Sequence, residues 1–167
     1  FPAVVRSGVV HSAANIDSSW MGADAASAFS EAVGRPVVVV NDADAAGIAE
    51  MSFGAGRGRS GLVITLTLGT GIGSGMFMDG VLVPNTEFGH LEFRGESVER
   101  YAAASAMERE ELPWEDWADR VGEFLDMVDR LFSPDMVILG GGVSREPERW
   151  FHRIDTRFET VIAAMAN

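Results

Sequence analysis

The sequence predicts an α/β fold, and three observations support this prediction. Apolar residues make up 47% of the 167-residue chain, which is enough for one domain with a hydrophobic core. Two short apolar runs, VVVV at residues 37–40 and MVIL at 136–139, have the length and composition of buried strands. In the second half of the chain, such runs alternate with segments of helical periodicity, as they do in α/β proteins.

The first forty residues predict short strands, one helix and then the valine strand. Residues 1–16 have the composition of short extended segments joined by a glycine turn. Residues 17–34 predict a helix, which Asp17 or Ser18 would cap and which Gly34 would end. We expect three side chains of this helix to face the core: Trp20, Phe29 and Val33.

From residue 43 onward, predicted helices and strands alternate. Helices are predicted at residues 43–54, 97–110 and 113–132, and one or two more are expected at the end of the chain. Strands are predicted at residues 62–69, 75–83 and 136–142, the second of them a hairpin that turns at Asp79-Gly80. The 113–132 helix is amphipathic, and its apolar side consists of Trp117, Val121, Phe124, Leu125, Val128 and Leu131.

The composition disfavours several classes of function. The chain has 13 Lys and Arg residues against 25 Asp and Glu residues, and the resulting net charge of −12 repels nucleic acid and anionic membranes. The chain has no cysteine, which excludes disulfides, thiolate zinc sites and a cysteine nucleophile. No apolar run has membrane-spanning length. We therefore expect no nucleic-acid or membrane partner, and the cytoplasm is the simplest location.

Asn41 and Asp42 directly follow the predicted valine strand. In open α/β sheets, ligands bind beyond the carboxyl ends of the strands, which is where these side chains would lie. A carboxylate kept ionised there by a helix N-terminus can accept a proton from a substrate hydroxyl. A plain helix cap is the alternative for Asp42, because Asp is among the best N-cap residues.

Two glycine-rich segments follow predicted strands. In LTLGTGIGSG, at residues 66–75, backbone N–H groups could bind a phosphate, and a threonine hydroxyl could be an additional donor. It lacks the Gly-Lys-Ser/Thr of a P-loop, and a tight hairpin turn is the alternative. MVILGGGVS at residues 136–144 leaves room for a ligand beside the backbone, or simply forms a strand-to-helix turn.

NTEFGHLEF, at residues 85–93, carries Glu87, His90 and Glu92. Acidic and imidazole side chains of this kind can hydrogen-bond sugar hydroxyls. A metal site is a weaker interpretation, because one histidine with carboxylates and no cysteine is a thin ligand set for zinc. An ordinary polar loop is the third possibility.

The four segments are Asn41-Asp42, residues 66–75, residues 85–93 and residues 136–144. In this order along the chain, they resemble the ROK family of sugar kinases, within the actin-like, hexokinase-type ATPase superfamily with its ribonuclease H-like fold. The likeness extends over about residues 1 to 145. It is greatest to the polyphosphate glucokinase branch of the family, through NTEFGHLEF and the tryptophan-rich LPWEDWADRV.

The resemblance implies a role for each matched residue. Asp42 matches the catalytic base that takes the proton of the sugar 6-hydroxyl, and the matched sugar-binding residues are Asn41, Glu87, His90 and Glu99, with Glu92 a weaker candidate. The matched phosphate- or nucleotide-binding residues are Gly69, Thr70, Gly71, Gly140, Gly141 and Gly142. The implied reaction transfers a phosphoryl group from polyphosphate, ATP or both to glucose, with Mg²⁺ offsetting the charge of the donor.

The resemblance also implies an organisation in two lobes. Residues 1–41 would be part of an N-terminal lobe with sugar-binding loops, and residues 42–167 would be most of the C-terminal lobe. The family's Asp-Gly-Gly-Thr-like donor loop has no counterpart here and both ends look cut, so we expect this chain to be weakly active or inactive. Without cysteine we expect no structural zinc, and no residue is assigned as a metal ligand. Family members commonly form homodimers, so a homodimer is expected.

Three alternatives remain open at this point. The pocket residues do not separate glucose from another hexose. The family also contains sugar-sensing transcriptional regulators, which would need a helix-turn-helix before the sugar domain. Arg57 and Arg59 could steer a polyanionic donor to the cleft, or could simply lie in a solvated loop.

Overall fold

A computed structural model describes residues 1–13 and 16–165 of the chain. Its strands are Val5–Arg6 (β1), Val9–Val10 (β2), Leu62–Leu68 (β3), Ile72–Met78 (β4), Val81–Val83 (β5), Glu92–Phe93 (β6), Glu96–Ser97 (β7), Met136–Gly140 (β8) and Glu159–Ile162 (β9). Its α-helices are Ala25–Val33 (α1), Asp42–Phe53 (α2), Val98–Ala102 (α3), Ala104–Arg109 (α4) and Trp114–Phe132 (α5). Short 3-10 turns lie at Ser18–Trp20, Phe88–His90, Gly142–Arg145, Pro147–Arg149 and Phe151–Arg153.

A mixed five-stranded sheet, in the order β5-β4-β3-β8-β9, forms the centre of the fold. β3 pairs with β4 antiparallel and with β8 parallel, so that Leu66 lies opposite both Ser74 and Leu139. The β4–β5 hairpin turns at Asp79 and Gly80 with φ angles of 50° and 79°, the primed turn that the Asp-Gly pair predicts. The α/β prediction is confirmed.

Helices cover both faces of this sheet. On one face, Leu66 and Leu139 pack in a large core with α5, whose Trp117 and Phe124 are fully buried. On the other face, Val63, Phe77, Met136 and Ile138 form a smaller core against the C-terminal half of α2. Because side chains alternate across a strand, β3 supplies apolar side chains to both cores, and helices cover it on both faces.

The α5 helix follows the predicted apolar stripe except at its last turn. Leu131 is 57% exposed, whereas Ala118, which was not predicted to face inward, is fully buried in the core. The Trp117 indole N–H donates to the carbonyl of Ala102 at 3.0 Å, which fastens α5 to the end of α3. The predicted 97–110 helix is interrupted at Ala103, which is extended, and so forms two helices, α3 and α4. The bond from Trp117 satisfies a carbonyl group at this interruption.

The predicted 17–34 helix begins later than expected. Gly22 has a φ of 77°, outside the helical range, and α1 starts only after Asp24, whose carboxylate accepts the Ser27 N–H at 2.9 Å. Gly34 ends the helix in the left-handed conformation, as predicted. Of the three expected inward residues, Trp20 and Phe29 pack beside Phe1, but Val33 is 61% exposed.

The predicted valine strand at residues 37–40 is wrong. This segment forms neither a helix nor a strand and pairs with no described strand, and Val38 is 87% exposed. Its bonds go instead to the Ser30 hydroxyl, which accepts the Val37 N–H, and to the Phe1 amino group, which donates to Val40. A valine run forms a strand only when neighbouring strands supply partners for its backbone.

The expected final helices are also wrong. After β8 the described chain forms three consecutive 3-10 turns and then β9, which adds to the sheet parallel to β8. The turns begin after Gly141, which has a φ of 91°, and continue past Pro147, which has no N–H for a longer helix. Within the described residues, no helix has the length and apolar character needed to cross a membrane.

Candidate active site

Most of the predicted site residues line one cavity of about 1010 Å³. Its walls come from the N-terminal segment, the start of α2, the β3–β4 turn and the loop after β5. The predicted residues that line it are Asn41, Asp42, Gly69, Thr70, Gly71, Glu87, His90, Glu99 and Gly141. Residues separated by up to a hundred positions in sequence thus share one concave surface.

The N-terminus of α2 places Asp42 in this cavity. Asn41 is the helix N-cap, and its side-chain oxygen accepts the N–H groups of Ala43 at 2.8 Å and Asp44 at 3.3 Å. The side-chain nitrogen of Asn41 donates to the carbonyl of Ala3 at 3.3 Å, so this buried residue is fixed from both sides. The capping role considered for Asp42 therefore belongs to Asn41, and Asp42 is the first helical residue, with its carboxylate exposed at the helix N-terminus.

Three carboxylates line the cavity, those of Asp42, Glu87 and Glu99. Burial raises the pKa of the Glu87 carboxyl, His90 opposes this shift, and the charges of Asp42, Asp44 and Glu99 raise the pKa further. The imidazole Nε2 of His90 lies 4.0 Å from a carboxylate oxygen of Glu99. Such a set of partly buried acceptors around one imidazole suits a neutral ligand with several hydroxyl groups.

The glycine-rich 69–71 segment is the turn of the β3–β4 hairpin, in which the Gly69 N–H donates to the Gly71 carbonyl at 3.0 Å. The hairpin alternative is therefore the observed structure, and Thr70 remains exposed at its tip. Gly71 also has a second effect, because a Cβ atom there would lie 2.7 Å from a carboxylate oxygen of Glu99. The glycine lets that carboxylate approach the turn.

The three glycines after β8 do not act together. Gly141 lines the cavity, has a positive φ and lies so close to β3 that a Cβ atom would clash with Leu68. Gly140 faces a small neighbouring pocket beside Glu50, and Gly142 starts a 3-10 turn. Neither of these two glycines belongs to the described lining of the main cavity.

Two further residues considered in the sequence, Glu92 and Arg59, do not line the described cavity. Glu92 is exposed in β6 and does not line the described cavity, whereas the buried Ser74 and the nearby Thr86 do. Ser74 lies within the glycine-rich 66–75 segment and Thr86 within the 85–93 segment, but neither is predicted from the sequence as a site residue. Arg59 forms an ion pair with Glu159 at 2.6 Å, so this part of the basic loop has a local partner.

No group of three or more His, Cys, Asp or Glu side chains in the described part of the chain is arranged to hold a metal ion. Mg²⁺ commonly binds through one or two carboxylates, water and the phosphates of a substrate. The exposed carboxylate of Asp42 and the half-buried one of Glu99 both line the cavity.

Comparison with known proteins agrees with these features. The ROK family matches residues 1–106 of the chain. The polyphosphate glucokinase of Mycobacterium tuberculosis (strain ATCC 25618 / H37Rv) is 45% identical over 168 residues, which cover all of this chain and 63% of that protein.

Two solved structures extend the comparison. The inorganic polyphosphate/ATP-glucomannokinase from Arthrobacter sp. strain KM superimposes with a TM-score of 0.93 at 46% identity, over 100% of this chain and 66% of that one. A ROK family glucokinase from Streptomyces griseus, solved with glucose and AMPPNP, superimposes with a TM-score of 0.76 at 25% identity, over 98% of this chain and 75% of that one.

The chain thus spans about 63% of the length of its mycobacterial relative. The family match covers more than half of the chain and includes Asn41, Asp42, Glu87, His90 and Glu99. This chain belongs to the ROK family.

Proposed function

We propose that the cavity binds a hexose and that Asp42 acts as the general base for phosphoryl transfer to its 6-hydroxyl from polyphosphate or ATP. The observation that supports this most is the convergence of Asn41, Asp42, Glu87, His90 and Glu99 on one cavity. Similarity to a polyphosphate glucokinase and a polyphosphate/ATP-glucomannokinase points to the same substrates.

In the proposed reaction, the hydroxyl oxygen attacks the terminal phosphorus in line with the bond that breaks. A new oxygen–phosphorus bond forms, the shortened donor leaves with the electrons of the old bond, and the hydroxyl proton passes to the Asp42 carboxylate. Bound with the donor, Mg²⁺ would neutralise charge on its phosphates. The Asp42 carboxylate is exposed at the N-terminus of α2 and lines the cavity, where it can accept this proton.

The remaining side chains have distinct proposed tasks. Asn41, Glu87, His90 and Glu99 would hydrogen-bond the sugar hydroxyls and so orient the 6-hydroxyl toward Asp42. The 69–71 turn and Gly141 would lie against the donor phosphates, where their backbone can approach closely. Gly140 and Gly142 are not included among the proposed phosphate contacts, because they do not line this cavity.

Mannose is a second candidate substrate, supported by the name of the glucomannokinase that matches all of this chain. The lobes at 1–41 and 42–167, a homodimer, a cytoplasmic location and weak turnover of this chain stay predictions. Titration calorimetry with glucose and with mannose separates the two sugars directly, because it does not depend on turnover.

The test of the proposal combines binding and catalysis. We expect saturable heat with glucose in the wild type and in Asp42→Asn, and a clear loss of affinity in Glu87→Gln. Glu92→Gln is the matched control, because Glu92 is a carboxylate of the same segment that lies outside the described cavity. Formation of hexose 6-phosphate from polyphosphate or ATP with Mg²⁺ is then measured in the same variants. A folded wild-type chain that binds neither sugar would contradict the proposal.

A further inference from the structure

A buried carboxylate lies next to the proposed base and does not line the cavity. Asp44, in the first turn of α2, is 2% exposed. One of its oxygens accepts the backbone N–H of Asn85 at 2.9 Å, and the other has no hydrogen-bond partner among the described residues. Burial raises the pKa of Asp44, the Asn85 hydrogen bond opposes this, and the charge of Asp42 adds to the increase. A buried carboxylate with only one hydrogen bond lowers the stability of the fold. We therefore expect this bond to have a role that offsets the cost.

The partner of Asp44 makes a second connection. Asn85 has a φ of 60°, and its side-chain amide pairs with both backbone groups of Val5. The Val5 N–H donates to the Asn85 side-chain oxygen at 3.0 Å, and the Asn85 side-chain nitrogen donates to the Val5 carbonyl at 3.0 Å. Asn85 thus joins the start of α2 to the β1–β2 hairpin, across 41 and 80 positions of sequence.

The segment that follows Asn85 leads directly into the cavity. Thr86 is held to the sheet by Ser74, whose hydroxyl donates to the Thr86 carbonyl at 2.8 Å and whose own carbonyl accepts from the Thr86 hydroxyl at 3.1 Å. Glu87 comes next and lines the cavity together with Asp42. The position of Glu87 relative to the sheet therefore depends on Ser74, and its position relative to α2 depends on the bond between Asp44 and Asn85.

We propose that Asp44 is a positioning residue: through Asn85 it fastens the 85–87 segment and the β1–β2 hairpin to the first turn of α2, and so sets Glu87 against Asp42. As far as hexose affinity is concerned, this inference rests on the proposed function. The fastening itself does not, because it is a property of the chain without any ligand.

Amide hydrogen exchange of the whole chain tests the fastening, read by mass spectrometry on peptides that cover residues 4–10 and 85–91. In Asp44→Ala we expect both regions to exchange about tenfold faster, because a buried hydrogen bond between the two elements is lost. Asp44→Asn should exchange like the wild type, because its amide oxygen can still accept the Asn85 N–H. Asn85→Ala keeps the backbone N–H that Asp44 accepts but loses both bonds to Val5, so residues 4–10 should exchange faster and residues 85–91 should change less than in Asp44→Ala.

Glu50→Ala is the control for a purely structural effect. Glu50 is also a 2% exposed carboxylate of α2, but its oxygens accept the N–H groups of Ala55 at 2.8 Å and Met165 at 2.7 Å, at the opposite end of the helix. We expect this variant to lose stability while residues 4–10 and 85–91 keep their wild-type exchange. Equal acceleration of these regions in Glu50→Ala, or none in Asp44→Ala, would overturn the proposal.

Hexose affinity gives the second measurement. Asp44→Ala should raise the dissociation constant for glucose about tenfold, Asp44→Asn should restore it, and Glu50→Ala should leave it unchanged. An unchanged affinity in Asp44→Ala, with a sugar that the wild type binds, contradicts the positioning role. A wild type that binds no hexose contradicts the proposed function instead, and hydrogen exchange then decides on the fastening alone.

Discussion

Replacing Glu87 by Gln separates charge from shape at the centre of the cavity. The amide keeps one oxygen acceptor and nearly the same volume, but it cannot ionise. Hydrogen bonds to charged groups contribute about 1.5–3 kcal/mol, against about 0.5–1.5 kcal/mol for neutral ones. The difference of about 1–1.5 kcal/mol predicts that glucose affinity falls about tenfold in Glu87→Gln.

The pH dependence of binding follows from the same carboxylate. Burial, the largest cause, raises the pKa of Glu87 above its usual 4.5, and the neighbouring carboxylates add to the increase. Only the ionised form makes the stronger bonds, so glucose affinity should increase as the pH rises through this raised pKa and then become constant. In Glu87→Gln this dependence should disappear.

Stability should change in the opposite direction. Because the pKa of Glu87 is higher in the folded than in the unfolded chain, its favourable contribution to folding is complete below the unfolded pKa and is lost as the pH rises through the folded one. At neutral pH, Glu87→Gln should therefore be at least as stable as the wild type. A weaker sugar complex in a chain of equal or higher stability cannot result from unfolding.

The assay is titration calorimetry with glucose between pH 5 and 8, beside urea denaturation of the same samples. His90→Gln is measured in parallel, because His90 opposes the increase in the pKa of Glu87. Equal affinity in the wild type and Glu87→Gln at every pH would refute the reasoning. So would a wild-type affinity that increases as the pH falls.

Three further predictions concern catalysis, local geometry and the core. Asp42→Asn should lower kcat for hexose phosphorylation by about 10²–10⁴-fold with little change in sugar affinity, as measured by product formation and calorimetry. Gly71→Ala should weaken glucose binding about tenfold because its Cβ atom would displace the Glu99 carboxylate, whereas Gly122→Ala in α5 should not. Trp117→Ala should lower the free energy of unfolding by about 3–5 kcal/mol in urea denaturation, because the indole is fully buried; a loss below about 1 kcal/mol would contradict its place in the core.

Local patterns in the sequence predict the elements that carry their own signals. The α5 stripe, the β3 run and the Asp79-Gly80 turn each encode their structure within a few residues, and all three are confirmed except for Leu131 of the stripe. The valine run at residues 37–40 has an equally strong pattern, but a strand also needs partners that no local pattern supplies. The late start of α1 has a local cause, the positive φ of Gly22, which a helical pattern conceals.

The site shows the same division. The motifs around Asp42 and Glu87 identify residues that do meet in one cavity. They do not reveal that Asn41 takes the capping role, because both residues of the Asn-Asp pair are good caps. No sequence motif predicts the connection of Asp44 to Asn85 and Val5. It joins residues far apart in sequence through a backbone N–H and a side-chain amide.

A crystal structure of this chain with glucose tests the central claim most directly, because it does not depend on turnover. The account predicts that the 6-hydroxyl oxygen lies about 2.6–3.2 Å from the Asp42 carboxylate. It also predicts that Asn41, Glu87 and Glu99 contact the other hydroxyl groups. Glucose bound in this cavity with its 6-hydroxyl directed away from Asp42, or glucose bound elsewhere on the chain, would contradict the assignment of Asp42 as the base.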